Sequence, residues 1–346
     1  FKNVKVPKEN ILWARGKGLK IAFTTLNTGR LTLPAAATGM SKWCLSVSRK
    51  WAKERKQWGS SIGEHEAIAA KLANMAATVF AMDAVTWMFS HMADKKKIDI
   101  RLESAMSKFF TTRESWKIIN DTFQIRGGRG FETESSLKGR GETGYPVERM
   151  LRDSRINSII EGSDEILHLF IAREALDPHL NKIKPLLSGK TSLFEKFRTL
   201  ISLGFYYPFW LMKLYLSSLF VFKLSKFNLP KKLGKYTVFI DRTAKHLARA
   251  IFFKMAIYQQ RLESKQNILS RFVDIAVELF AMSVVLSYAA GIVEKDKTKI
   301  DAVELADLFC QQSKLRISRL FFDISRNQDK KSVSVAKKIL ADKFEW

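Results

Sequence analysis

Only one segment of this chain reads as a β-strand, and this scarcity constrains the fold more than any other feature. The segment is FKNVKVPKENIL, residues 1–12, which we interpret as a short strand running into a loop. A strand needs a second strand to satisfy its backbone hydrogen bonds, and no later segment offers one. We therefore expect an all-α fold, an N-terminally truncated polypeptide, and residues 1–17 as the end of a missing β-domain.

After this segment, small and apolar residues recur three and four positions apart, which is the period of a helix face. The pattern predicts five helices in the first half of the chain, separated by glycine-containing or charged turns. A polar loop is expected at 134–146, a linker at 181–190, and two or three amphipathic helices from about 243 onward. The five predicted helices cover 18–56 with Pro34 inside, a segment that starts within 59–68 and ends near 93, then 101–125, 147–157 and 163–176.

The chain is strongly basic: 59 Lys and Arg residues against 34 Asp and Glu residues give a net charge of +25 over 346 residues. This charge favours an anionic partner, which could be nucleic acid, an anionic membrane or a phosphorylated ligand; a merely soluble basic protein is the alternative. The two cysteines, Cys44 and Cys310, fall far apart in apolar helical patterns, which is typical of reduced thiols in a cytoplasmic compartment. No histidine or cysteine spacing indicates a metal site.

About half of the excess charge lies in residues 181–254, where 15 basic residues accompany two acids, a net charge of +13. Within it, residues 201–222 hold a single charge, Lys213, and are long enough to cross ~30 Å of hydrocarbon as a helix. Because Gly204, Pro208 and the lysine interrupt this stretch, we expect a membrane-interfacial helix or helical hairpin with a basic rim. A true span, a buried inter-domain helix and nucleic-acid binding are the alternatives. No known nucleic-acid-binding motif is present, so we expect no nucleic-acid partner.

A carboxylate in an unusual context, Glu161, is the strongest candidate for chemistry. It follows Ile159 and Ile160, directly precedes Gly162, and lies before the predicted helix that opens at Ser163. A carboxylate in apolar surroundings retains its proton to higher pH, which suits a general base acting near neutrality. By itself this pattern is also typical of an ordinary glutamate before a helix cap.

Three further segments accompany the one around Glu161, and together they form an ordered set of motifs. The set is ERKQWGSSI (54–62), FQIRGGRGF (123–131), YPVERMLRDSRINSIIEGSDEI (145–166) and FIAREALD (170–177). These motifs resemble the C-terminal half of the acyl-CoA dehydrogenase family, over about residues 1–180. The resemblance implies a four-helix-bundle domain at 18–180, and it implies that the family's N-terminal helical domain and central β-domain are missing from this chain.

The resemblance also implies a reaction and a cofactor. In the family, the glutamate at the position of Glu161 removes the α-proton of an acyl-CoA thioester, and a hydride leaves the β-carbon for FAD, which gives a trans-2-enoyl-CoA. The backbone N–H of this glutamate and a flavin hydroxyl hold the thioester oxygen. Gly162 permits close approach of backbone and substrate. Asn27, in place of a commoner aspartate, and Arg30 match positions near the base and CoA, so they are expected to bind substrate with Gly162.

Three groups of residues match the family's FAD contacts. Ser163 and Glu165 follow the base. Arg55, Gln57 and Trp58, where Trp58 replaces the usual phenylalanine, match a segment that reaches the FAD of the neighbouring protomer. The remaining matches are Gln124, Gly127 and Gly128, which correspond to a turn at the FAD pyrophosphate or adenine. An insert, SSLKGRGETG, lengthens the loop before the base.

A long C-terminal extension resembles that of the very-long-chain type within the family, loosely over 247–340. The composition of 181–242 predicts a basic, aromatic, membrane-interfacial segment, and the resemblance implies a helical extension at 243–346 and a homodimer. The expected function is long-chain acyl-CoA dehydrogenation in fatty acid β-oxidation at the cytoplasmic side of a bacterial inner membrane, or the mitochondrial matrix. An electron-transferring flavoprotein is the expected acceptor, with a separate N-terminal half as a further partner. The alternative is a non-catalytic basic helical module for membrane tethering or assembly.

Overall fold

The computed structural model of the chain describes residues 1–95, 99–189, 191–219 and 229–344; at 23, 27, 28, 187, 218 and 219 it describes the backbone alone. Secondary structure in these residues is almost entirely helical, as the periodicity predicts. A short antiparallel hairpin pairs β1 (Lys56–Gln57) with β2 (Ser60–Ser61). The helices are α1 Gly18–Glu54, α2 Glu66–Asp94, α3 Arg101–Arg126, α4 Gly128–Phe131, α5 Glu134–Gly139, α6 Val147–Arg155, α7 Asp164–Leu187, α8 Leu193–Leu219, α9 Lys231–Tyr258, α10 Gln266–Lys295, α11 Asp301–Ser325 and α12 Asp329–Ile339.

The predicted strand at residues 1–12 is not formed. These residues are exposed and contain one 3-10 turn, Lys8–Asn10, whose backbone bonds are local. The only strands in the described part of the chain, β1 and β2, pair with each other. A segment without a partner strand cannot satisfy an extended backbone through a ladder, and it therefore stays irregular.

The first three long helices and α6 end within a few residues of their predicted bounds, and α3 stops before the Gly127–Gly128 pair. The predicted loop at 134–146 is wrong in its first part, because α5 forms there. The N-terminus of α5 is capped by Thr133, whose side chain accepts a hydrogen bond from Ser136 N at 3.3 Å. The prediction of a helix beginning near 243 is also wrong: α9 begins at Lys231, directly after Pro230, a residue suited to helix starts.

The predicted end of α7 near 176 is wrong as well, because the helix continues through Pro178 and takes up most of the predicted linker. Tertiary packing explains the continuation. The ring of His179 stacks on Tyr207 and meets Trp210 edge-on, with centroid separations of 5.9 and 5.3 Å. Such contacts offset the backbone hydrogen bond that an internal proline removes.

The described residues form two compact units. Unit 1 consists of Phe1–Leu72 and Thr86–Asp164, and unit 2 consists of Ala73–Val85 and Glu165–Trp346.

The core of unit 1 is built on α1 and α3, which run side by side in the same direction. Small residues bring the two backbones close enough for hydroxyl groups to bridge them. Ser115 Oγ donates to Ala37 O at 3.3 Å, and Ser48 Oγ donates to Thr122 Oγ1 at 3.0 Å. All four residues are buried. Buried hydroxyls paired in this way fix the register of the helices, since a shift would leave them unsatisfied.

In unit 2, α9 is joined to α11 through a buried polar cluster. The Tyr236 hydroxyl donates to Asp307 Oδ1 at 2.5 Å, and Lys232 and Lys235 each place Nζ 3.1 Å from this carboxylate. Burial by itself raises the pKa of Asp307, but the hydrogen bonds from Tyr236 and the two lysines outweigh it and hold the pKa at about 2. The carboxylate therefore stabilises the fold only while it is ionised.

Replacing Asp307 with asparagine is expected to lower the free energy of unfolding at pH 7 by about 2 kcal/mol, because charge-assisted hydrogen bonds are lost. The pKa of Asp307 in the folded protein lies below its value in the unfolded chain. The extra stability of the wild type over the variant therefore exists above about pH 4 and disappears as the pH falls toward 2. Urea unfolding at pH 7 and pH 2.5 measures both values. Glu304→Gln, an exposed change on the same helix, is the control. An equal penalty at both pH values would contradict the prediction.

Two helices among the described residues, α2 and α10, are long and apolar enough to cross a membrane by composition. The shares of their most apolar 18-residue windows that are buried within the protein are 44% and 56%. Core helices of a bundle have the same composition, so these two helices give weak evidence of spanning. Helix α8, which contains the described part of the 201–222 stretch, is not among them.

Candidate active site in the first unit

Glu161 lies in a sharp turn between α6 and α7. A 3-10 turn, Ile156–Ser158, follows α6, and the chain then reverses through two consecutive left-handed residues, Glu161 with φ +57° and Gly162 with φ +99°. A non-glycine residue in this conformation costs about 1 kcal/mol, so neighbouring contacts must hold it. Ile159 and Ile160 are exposed, so they do not supply the apolar surroundings that the sequence suggested.

The carboxylate of Glu161 packs against α1 where that helix has a glycine. A Cβ built on Gly29 would lie 2.5 Å from Glu161 Oε1 and 2.7 Å from its Cδ, so only a glycine leaves room for the carboxylate in this position. The other oxygen, Oε2, is shielded from solvent and has no hydrogen-bond partner among the described residues. Most buried oxygens of this kind are paired, and an unpaired one is a candidate for contact with a ligand.

Two cationic side chains from different helices hold the backbone of this turn. Arg30 of α1 donates from Nε to Glu161 O at 3.3 Å, and Lys108 of α3 donates from Nζ to Gly162 O at 2.8 Å. The two carbonyls are consecutive, so both peptide planes of the turn are fixed. Hydrogen bonds from charged donors are about twice as strong as neutral ones.

Lys108 is fully buried. Burial lowers its pKa to about 8, against the opposing effects of Asp164 and Glu161 and with a further lowering by Arg30. Burial likewise lowers the pKa of Arg30, which Glu161 partly offsets. The turn is therefore surrounded by two cations and two carboxylates in a poorly solvated position, where electrostatic interactions are stronger than in water.

A second group of predicted site residues lies at the other end of α1. The β1–β2 hairpin presents Trp58, whose φ is +51° and whose side chain is 89% exposed. His65 supports the tip: its Nε2 is 3.1 Å from Gln57 O, and its ring meets Trp58 edge-on at 5.5 Å. Arg55 and Gln57 are exposed beside it. An exposed indole on a supported turn is a contact surface rather than part of a core.

The turn after α3 lies at the same end. Arg126, the last residue of α3, places its guanidinium 5.0 Å from the Trp51 ring near the end of α1. Gly127 has φ +59° and ψ −137°, a combination that essentially requires glycine. No atom lies within 4 Å of a Cβ built on Gly127 or Gly128, and Gln124 is exposed, so this backbone is open to a close partner.

The predicted residues thus separate into two sets. The base set contains Arg30, Glu161, Gly162 and Ser163, and the hairpin set contains Arg55, Gln57, Trp58, Gln124, Gly127 and Gly128. The two sets lie at opposite ends of α1. The helix between Arg30 and Glu54 rises over 24 residues at 1.5 Å each, a length of about 36 Å.

Glu165 is exposed in the first turn of α7. The side chain of Asn27 lies outside the described residues.

Two family models match this chain in succession. "Acyl-CoA dehydrogenase, C-terminal domain" matches residues 16–176, and "ACAD9/ACADV, C-terminal domain" matches residues 231–345. The chain belongs to the acyl-CoA dehydrogenase family. Within this family, its second match is to the C-terminal extension of the very-long-chain type, as the sequence predicts.

Individual relatives agree with this assignment. "Probable acyl-CoA dehydrogenase FadE10" of Mycobacterium tuberculosis is 43% identical over 99% of this chain and 53% of its own length. "Very long-chain specific acyl-CoA dehydrogenase, mitochondrial" of Homo sapiens is 30% identical over 92% of this chain and 46% of its own length. The chain therefore spans about half the length of the curated relatives it matches.

A solved structure shares the fold. The acyl-CoA dehydrogenase complexed with FAD from Bacillus anthracis superposes with a TM-score of 0.72 at 25% identity, covering 96% of this chain and 54% of that one. Both helical units of the present acyl-CoA dehydrogenase chain therefore follow an architecture known within the family.

Sequence reasoning missed two residues of this candidate site, Gly29 and Lys108. A signal existed for Lys108: it falls in a run of buried positions of α3 together with Ser104, Thr111 and Ser115, where a lysine is unusual. Gly29 gave a weaker signal, since a glycine inside a helical pattern indicates close packing without naming the partner.

Proposed function

We propose that this chain is the C-terminal part of an FAD-dependent acyl-CoA dehydrogenase that converts long-chain acyl-CoA to trans-2-enoyl-CoA in fatty acid β-oxidation. One observation carries the proposal. The Glu161 carboxylate is held against Gly29 with one oxygen shielded from water and unpaired. A base for carbon acids needs this arrangement, because a carboxylate occupied by strong donors is a weak proton acceptor.

In this reaction Glu161 removes the proton from the carbon next to the thioester carbonyl. Negative charge develops on the thioester oxygen as the C–H bond breaks, and hydrogen-bond donors at that oxygen lower the barrier. By resemblance to the family, the Glu161 N–H is one donor. Arg30 and Lys108 support it by fixing the two peptide groups that follow this N–H in the turn.

The residues of unit 1 fit FAD as two partial sites. Within the base set, Ser163 and Gly162 would contact the flavin end of FAD. At the hairpin set, the exposed Trp58 and the open backbone of Gly127–Gly128 would meet a second FAD molecule held by another copy of the chain. When bound, FAD supplies the acceptor for the hydride that leaves the β-carbon. This arrangement supports a homodimer, with an electron-transferring flavoprotein as the acceptor from the reduced enzyme.

The decisive test is to purify the enzyme with its remaining half supplied in the same polypeptide or as a second one. We expect bound flavin with visible absorbance, and bleaching of that absorbance under anaerobic conditions on addition of palmitoyl-CoA. Flavin that binds but is not bleached by any acyl-CoA would contradict the catalytic proposal and favour a tethering module. A preparation without flavin would exclude both the cofactor and the reaction.

We further propose that the protein works at a membrane surface through α8. One face of this helix packs on α9: the rings of Tyr207 and Trp210 meet Phe252 with centroids 5.1 and 5.7 Å apart, and Lys245 Nζ donates to Ser217 O at 2.8 Å. The remaining face exposes large apolar side chains: Leu193, Phe194, Phe197, Leu200, Ile201, Phe205, Phe209, Met212 and Leu216.

These side chains recur at intervals of three and four residues, so they form one stripe along the described helix. An aromatic stripe beside Lys196, Arg198 and Lys213 is typical of a helix that lies in the headgroup region of an anionic bilayer. Residues 220–222 of the predicted interfacial stretch lie outside the described residues. The location proposed is the cytoplasmic face of a bacterial inner membrane, or the matrix face in a mitochondrion, where insoluble acyl chains accumulate.

Changing both Phe205 and Phe209 to serine is expected to weaken binding to anionic liposomes at least tenfold, because each phenylalanine contributes roughly 1.5 kcal/mol or more of apolar burial. Co-sedimentation at low and high salt measures the affinity. Leu315→Ser removes another side chain that is 74% exposed, on α11, and should leave binding unchanged. Equal losses in both variants, or no binding at low salt, would contradict the assignment.

A further inference from the structure

We propose that Lys108 is a positioning residue for the base: its ammonium fixes the Glu161–Gly162 turn from the side of α3 and supplies a positive charge next to the carboxylate. The catalytic part of this inference rests on the proposed function. The positioning part does not, because it concerns the backbone of the turn, which can be observed in the chain by itself.

The geometry gives Lys108 a specific task. Its ammonium donates to Gly162 O at 2.8 Å, and Arg30 holds the preceding carbonyl, Glu161 O. A turn with two successive left-handed residues is not the preferred conformation of this backbone. With Lys108 removed, the Gly162–Ser163 peptide plane could rotate, and the turn that positions the Glu161 carboxylate would lose one of the two hydrogen bonds that hold it.

The burial of Lys108 supports a role beyond stability. The side chain is fully buried and donates its hydrogen bond to a neutral carbonyl, Gly162 O, while Asp164 and Glu161 favour its charged form from nearby. Burying an ammonium whose partner is a neutral carbonyl is unfavourable, and an apolar residue of similar length would stabilise the fold more. A buried charged side chain that lowers the stability of the fold in this way is typical of functional positions.

The charges around Lys108 determine its second effect. Lys108 faces Arg30 on α1, Glu161 in the turn, and Asp164, the first residue of α7. Burial lowers its pKa to about 8, so it carries its charge near neutral pH and loses it as the pH rises above 8. While charged, it places a positive charge beside Glu161 in a poorly solvated position, where electrostatic interactions are stronger than in water.

The first experiment uses the 346-residue chain without substrate. In Lys108→Met, amide hydrogen exchange at residues 159–163 is expected to accelerate at least tenfold, whereas exchange in the centres of α1 and α3 stays unchanged. Lys108→Arg, which keeps a charged donor, should restore most of the protection. Lys117→Met is the matched control, since Lys117 is an exposed lysine of the same helix. Unchanged exchange at 159–163 in Lys108→Met would overturn the positioning role.

The second measurement starts from the wild-type chain, so its main result does not depend on whether a variant folds. Lysine side-chain NMR of the wild-type chain should show an ammonium that titrates near pH 8 and disappears in Lys108→Met. If no lysine titrates near pH 8, the electrostatic part of the inference is wrong.

The third measurement is made in the flavin-loaded enzyme. Lys108→Met should lower kcat about 100-fold with KM within threefold, because a displaced base slows chemistry rather than binding. Lys108→Arg, which keeps a charged donor, should recover most of the lost kcat. If the wild-type enzyme has no dehydrogenase activity, the proposed function fails, while the exchange result still decides the role of Lys108 in the turn.

Discussion

Replacing Glu161 with glutamine is expected to lower acyl-CoA turnover about 1000-fold while flavin content and fold are retained. Glutamine keeps the shape of the side chain but cannot accept the α-proton, and general base catalysis contributes about 10² to 10⁴ in rate. The base stands against Gly29 with an unpaired oxygen, so few other groups of this chain can replace it. Steady-state reduction of an electron acceptor with palmitoyl-CoA measures the loss.

Two further variants separate proton transfer from general damage at this turn. Glu161→Asp keeps a carboxylate but on a shorter side chain. We therefore expect a rate between those of the wild type and Glu161→Gln, with a pH–rate profile of the same shape. Glu148→Gln removes a partly buried carboxylate that pairs with Arg152 on α6, and it should leave the rate unchanged. Full activity in Glu161→Gln would show that another group removes the proton, and the catalytic assignment of Glu161 would have to be withdrawn.

Replacing Gly29 with alanine is expected to reduce kcat about 10- to 100-fold without loss of stability. The added methyl would lie 2.5 Å from Glu161 Oε1, and the atom that must move is the end of a flexible side chain, so the fold can adjust at little cost. Alanine also favours the helix by up to about 1 kcal/mol over glycine. The carboxylate, however, must leave its position, and misplacement by ~1 Å can cost 100-fold in rate.

Gly130→Ala provides the opposite case and serves as the control. A Cβ at Gly130 would lie 2.5 Å from Phe123 O, a backbone atom that cannot move without distorting α3. This variant should lose about 1–3 kcal/mol of stability, as expected for overpacking. Thermal unfolding and kcat measured on both variants separate the two effects. Loss of stability in Gly29→Ala comparable to that in Gly130→Ala would contradict the interpretation of Gly29.

The local patterns of the sequence were sufficient to predict four of the longer helices, but not the short helices α4 and α5. Periodicity and glycine punctuation located α1, α2, α3 and α6 because these signals act within a few residues. The end of α7 could not be predicted in this way. Pro178 is a strong local stop signal, and the contacts that outweigh it come from Tyr207 and Trp210, about thirty positions later. Tertiary contacts of this kind are invisible to a local pattern.

The candidate site shows the same limit. Glu161 and the flavin-contact positions followed from four ordered motifs, since each motif is continuous in sequence. Gly29 and Lys108 could not be assigned a role in that way, because each acquires one only through a partner 132 or 54 positions away along the chain. The apolar surroundings expected from Ile159 and Ile160 did not form, because the turn directs both side chains to solvent.

The distance between the base set and the hairpin set along α1 has a genetic consequence. If each flavin site takes Glu161 from one subunit and Trp58 from its partner, as proposed, a lesion at either residue would inactivate one half of a site. In a mixed pair of subunits, one site would then receive both defects and the other would receive none. Two alleles that are each inactive would therefore complement each other when expressed together, whereas two alleles with lesions in the same set would not.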